Sequence, residues 1–272
     1  KNAVRNNNVV VPVPSEIIMA LDVLSDTDWK AIVEYNYTAS YSQNYKIALN
    51  LGVRVAQGFI AIQAKDRRNT GEMFLISRDL AENFGAKSEM FVSREQITKL
   101  INEGKWVELR EILDDIHLRV KEEMSKYDRD FVTLAGIGGW LEGLNIVTKA
   151  LNHNYSEDAS TILYQPELIQ YFIEEMDGLK NQNSDNLEVK AIKAKLPEIK
   201  KLCVTNPGEP VSEKNVKRLN DVAGTLNKII VSPPDAEEKI SEKNTTGWVI
   251  VYAVILIIII IAYVSRKKKG GN

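Results

Sequence analysis

Apolar residues recur at intervals of three and four along nearly all of this chain after residue 15, the period of helices that present one face to a core. The clearest stripe is Leu109, Ile112, Leu113, Ile116, Val120 and Met124, which predicts a helix over 105–127. A second stripe runs from Val216 through Leu219, Val222, Ala223 and Leu226 to Ile229 and Ile230. It predicts a last helix that opens on a Ser212 cap and stops at Ser232-Pro233-Pro234. The same spacing predicts helices over about 15–24, 28–34, 42–66, 70–84, 93–102, 130–151, 166–176 and 186–202. Ser93 and Gln96 have capping-box spacing, Pro166 suits a first turn, and Gly85 suits a stop. Pro197 is expected to break or kink its helix, and Gly104 to lie in a loop that tolerates alanine. No alternating strand runs are joined by Asn-Gly or Asp-Gly. Residues 1–14, with Pro12 and Pro14, read as an extended arm. The expectation is an all-α, multi-helix bundle domain over 15–231.

Two helices stand out as central. Over 42–66, Ala48, Gly52 and Ala56 fall four residues apart; over 130–151, Ala135, Gly139 and Gly143 do the same. Four-residue spacing places each trio on one face, where small residues let another backbone come close. Each internal glycine costs about 1 kcal/mol of helix propensity, so their accumulation points to packing. The cluster Gly136-Ile137-Gly138-Gly139 is read the same way, because it follows no strand and the chain has no phosphate-loop motif. Arg54 shares a stripe with Asn50 and Gln57, and Glu142 shares one with Asn145 and Lys149. The plainer expectation is that these are the wet sides of both helices. The sharper one is a buried Arg54–Glu142 link, or a small anionic-ligand cleft around Arg54.

From Trp248 to Val264 the chain carries no charge and no polar side chain except Tyr252 and Tyr263. Seventeen residues at about 1.5 Å each reach roughly 26 Å, near the thickness of a thin bilayer core. Trp248, Tyr252 and Tyr263 sit where aromatic rings meet the headgroups, and Arg266, Lys267, Lys268 and Lys269 follow directly. The expected division is arm 1–14, helical domain 15–231, stalk 232–246, transmembrane helix 247–264 and basic tail 265–272. Basic residues favour the cytoplasmic side, so the tail is expected there, with the body periplasmic or extracellular in a type I arrangement. A start at Lys1 fits a removed signal peptide. A tail-anchored protein with a cytosolic body is the competing expectation.

Taking the four basic tail residues from the 35 in the chain leaves 31 against 37 acids in residues 1–246, an acidic body that argues against nucleic-acid binding. One cysteine, Cys203, allows no internal disulfide, and with His117 and His153 it cannot complete a tetrahedral zinc site. His117 lies three residues after Asp114 and is read as half of a surface pair, His153 as a helix-end residue, and Cys203 as a small buried group. No catalytic residue, metal or cofactor is expected. Three function classes remain, in this order: a structural or accessory subunit of a membrane or envelope assembly, partnered by protein and bilayer; a ligand-sensing exoplasmic domain that signals through a partner; and a membrane-tethered hydrolase.

Overall fold

A computed structural model describes residues 4–6, 9–11, 21–24, 26–206 and 208–233. The Ser15-capped start of the first expected helix, most of the stalk, the span with Trp248, Tyr252 and Tyr263, and the tail Arg266–Lys269 lie outside these residues.

The described part is overwhelmingly helical. After a short 3-10 turn at Leu21–Leu24 come α1 (Trp29–Ile32), α2 (Asn44–Gln63), α3 (Arg67–Glu82), α4 (Arg94–Glu103), α5 (Trp106–Tyr127) and α6 (Arg129–His153). Then follow α7 (Glu157–Ser160), α8 (Pro166–Asp177), α9 (Asn181–Ser184), α10 (Leu187–Cys203) and α11 (Glu213–Val231). Local chemistry sets the ends. Ser93 Oγ accepts from the Gln96 amide at 3.2 Å, and Ser212 Oγ from the Asn215 amide at 3.3 Å. Pro166 occupies the first turn of α8.

Three local features differ in detail from the expectations. The arm has paired strands as well as extended backbone: β1 (Val4–Asn6) pairs antiparallel with β2 (Val9–Val11), Val4 opposite Val11. Valine favours strands, and the two residues between the strands are asparagines, a type suited to hairpin turns. Next, of the break or kink expected at Pro197, the break does not occur: α10 runs through Pro197 to Cys203. Pro197 is exposed, so the Lys193 carbonyl it leaves without an amide partner is within reach of water. Finally, Gly104 is the C-cap of α4, with φ +69° in the left-handed region, rather than an indifferent loop residue.

Residues 1–231 form one compact unit with its own core. At its centre α2 packs on α6, α3 covers α2, and α5 and α11 flank α6; α10 joins α11 to α8. The buried pair Lys46–Glu188, at 3.0 Å, ties the first turn of α2 to the first turn of α10, and Tyr45 donates to the same carboxylate at 2.9 Å. Among the described residues α6 is the one helix long and apolar enough to cross a bilayer, but 67% of that stretch is buried inside the domain, as befits a core helix.

Candidate functional site

Helices α2 and α6 meet backbone to backbone. A Cβ placed on Gly52 would run into the Ala135 carbonyl and lie 2.6 Å from the Gly139 amide nitrogen. A Cβ on Gly138 would run into the Leu49 carbonyl, and one on Gly139 would lie 3.1 Å from the Gly52 carbonyl oxygen. Gly52, Ala135 and Gly139 thus stand at the contact, Ala48 is wholly buried beside it, and Gly138 makes one of the tightest approaches. The last member of each trio departs from the expected packing face. Gly143 faces open space, with nothing within 4 Å of an added Cβ, and Ala56 is half-buried. One helical turn past the contact the helices no longer touch through these residues, and both line a cavity.

That cavity is a cleft of about 250 Å³. Its α6 side is the run Ala135, Gly136, Gly139 and Gly143, where missing side chains leave a trough. Leu113 and Val120 of α5 and Leu168 and Phe172 of α8 supply apolar walls. The cleft reaches solvent, since Gly136 is exposed and Leu113 half-buried. Well-packed cores leave few voids larger than a water molecule, so this one is a feature of the domain and not a packing residue. The ionisable groups on its lining are Arg54, Arg78, His117, Lys121, Tyr171 and Cys203; no aspartate or glutamate is among them.

The polar stripes of α2 and α6 are not wet sides. Arg54 is 0% exposed and Glu142 2%. Asn50, Gln57 and Asn145 are buried with them. Glu142 accepts from Gln57 Nε2 at 2.7 Å, from Asn145 Nδ2 at 3.3 Å, and from Asn227 Nδ2 of α11. Arg54 Nη2 donates to Tyr41 Oη at 3.0 Å and to Asn50 Oδ1 at 3.3 Å. Asn50 Nδ2 donates to the Ile230 carbonyl at 2.8 Å, satisfying an end group of α11. Arg54 and Glu142 form no direct ion pair among the described contacts; their two buried clusters are joined through the half-buried loop residues Thr38 and Asn36, from the Thr38 carbonyl that accepts from Arg54 to the Asn36 amide that donates to Gln57. Burial raises the Glu142 pKa against the pull of Gln57, Asn145, Lys149 and Arg54. Burial lowers that of Arg54, opposed by Tyr41 and Glu142.

His117 is half-buried on α5 and stands on the cleft wall. Burial, with Lys121 one turn on, pushes its imidazole down to about 4. Cys203 is buried and pushed up to about 12, which leaves it a thiol and not a nucleophile at neutral pH. His153 ends α6. Among the described residues no group of three or more His, Cys, Asp or Glu is placed to hold a metal. The cleft expected around Arg54 has a counterpart here, since Arg54 is on its lining, but sequence reasoning missed its trough along α6, Lys121 and two α11 amides: Asn227 on Glu142, and Asn220, whose Nδ2 donates to Thr148 Oγ1 at 3.2 Å. The glycine run Gly136–Gly139 was the available signal for the first, since it marks missing bulk as much as close packing. Compared with protein families, curated proteins and solved structures, the chain matches none.

Proposed function

We propose that the chain is a membrane-tethered binding module, an accessory subunit of a larger membrane assembly. On this reading the span 247–264 holds the domain at the exoplasmic face, and the tail Arg266–Lys269 lies in the cytoplasm. The work is binding, not catalysis, and its working surface is the cleft beside α6. The observation that carries the reading is the missing bulk at Gly143 and Ala56, one turn past the Gly52–Gly139 contact, which leaves apolar walls facing a solvent-accessible trough. Such a surface is costly to leave wet and gains from being covered. A ligand-sensing ectodomain that signals through a partner is the second reading, favoured by a cavity that approaches small-molecule dimensions.

The test is to extract the full chain from its own membrane in mild detergent and determine by native mass spectrometry what remains bound. Gly143→Leu fills the trough at a position with free space. The reading expects bound material on the wild-type chain and its loss from a folded Gly143→Leu chain. Identical bound material on both would overturn it.

A further inference from the structure

The chemistry of the cleft narrows its occupant. Its surface is apolar along the α6 trough, so the bulk of a ligand there must be apolar. In a body with more acids than bases, the cleft lining carries basic groups and no carboxylate. Those basic groups differ in how they are held, and of the arginines only Arg78 has a carboxylate partner. Arg78 pairs with Asp79 at 2.9 Å and lies 3.9 Å from Glu82. Arg54 is wholly buried and donates through Nη2 to Tyr41 and Asn50, while its Nε and Nη1 have no hydrogen-bond partner among the described contacts. His117 is neutral at physiological pH. Lys121 is different. It is half-buried on α5, four residues from His117 and so on the same helix face, and among the described contacts no carboxylate pairs with it. Burial without a counter-charge lowers its pKa. A partly desolvated ammonium with no partner is an unfavourable arrangement that an incoming anion relieves.

Building on the binding reading above, we infer that the cleft takes a single-chain amphiphile with an anionic head group, its chain along Gly136, Gly139 and Gly143 and its head against Lys121. Neutral His117 offers an adjacent hydrogen-bonding group. At about 250 Å³ the cavity is smaller than the roughly 300–1,000 Å³ of typical drug-sized sites, which favours one chain over a many-chained lipid. A carboxylate of a free fatty acid and a phosphate of a single-chain membrane lipid share the chemistry required.

The full chain in lipid nanodiscs can be tested with a photoactivatable fatty acid and the corresponding fatty alcohol, with labelled peptides mapped by mass spectrometry. The acid should label α5 and α6 peptides lining the cleft. Lys121→Met should cut that labelling by about tenfold or more, the scale of one charge-assisted hydrogen bond, and Lys121→Arg should retain it. Labelling by the alcohol should not respond to Lys121→Met. Gly143→Leu should suppress both probes. Competition by unlabelled fatty acid or by an anionic single-chain phospholipid supports the site, and the better competitor names the source. Equal labelling by acid and alcohol, indifferent to Lys121→Met but abolished by Gly143→Leu, would overturn the anionic-head inference and leave the binding reading standing. No cleft labelling by either probe would overturn both.

Discussion

Gly52 and Gly139 leave no room for a side chain between them: a Cβ on Gly52 would lie 2.6 Å from the Gly139 amide nitrogen, and one on Gly139 would lie 3.1 Å from the Gly52 carbonyl oxygen. This contact fixes how closely the two central helices approach. It also creates the cleft, because Ala56 and Gly143, one turn beyond, carry too little bulk to fill the space that opens between α2, α5, α6 and α8.

At the end of α4, Gly104 holds a left-handed backbone conformation that an L side chain adopts at a cost of about 1–2 kcal/mol. Gly104→Ala should therefore lower stability by about 1 kcal/mol in denaturant unfolding. Unchanged stability would show that the C-cap relaxes without strain.

Glu142 gives the domain a distinctive pH response. Burial raises its pKa, so the folded chain holds this proton more tightly than the unfolded chain. Its favourable contribution is complete below the unfolded value near 4.5 and is lost as pH rises through the raised folded value. Gln at this position copies the protonated acid. The stability of Glu142→Gln relative to wild type should therefore increase as pH is raised from 4.5. Parallel pH curves for the two proteins would exclude a raised pKa at this site.

His117 acts at the acid side with the opposite sign. Its folded pKa is depressed to about 4 from the usual 6.5. The stability it contributes is full above 6.5 and is lost as pH falls toward 4, when the half-buried ring must take a charge. An NMR titration should place the His117 midpoint near 4. A midpoint at or above 6.5 would mean that the ring stands in water.

The topology makes a separate prediction. Protease added to intact spheroplasts should digest residues 1–246 while Arg266–Lys269 remain protected, because the basic cluster favours the cytoplasmic side. Survival of the body until the membrane is permeabilised would reverse the orientation.

Helix positions were legible because they depend on local period and caps: the stripe from Leu109 to Met124 and the hydroxyls of Ser93 and Ser212 act within a few residues. What was not legible depends on distant partners. Asn50, Arg54 and Gln57 resemble a solvated stripe until the segment 34–41, α6 and α11 supply their partners; Asn227 reaches Glu142 from 85 positions along the chain, and Asn50 reaches Ile230 from 180. The trios Ala48-Gly52-Ala56 and Ala135-Gly139-Gly143 each look uniform in sequence. Only the contact geometry shows that each trio is tight at its glycine contact and open at its last member, because two helices touch over a limited length. Pro197 misled because a proline ends a helix only where the lost bond is not replaced, and here the ring is exposed.

The most direct test is to compare the melting temperatures of Gly139→Leu and Gly143→Leu, two identical changes one turn apart on α6. A branched side chain at Gly139 must push against the α2 backbone, an overpacking cost of about 1–3 kcal/mol, or roughly 2–4 °C for each kcal/mol in a domain of this size. The same side chain at Gly143 enters the open trough and gains up to about 1 kcal/mol of helix propensity. The account predicts that Gly139→Leu melts several degrees below wild type and Gly143→Leu at or above it. Equal destabilisation by both would show that no cleft stands beside Gly143, and an unaffected Gly139→Leu would show that the central helices do not meet there.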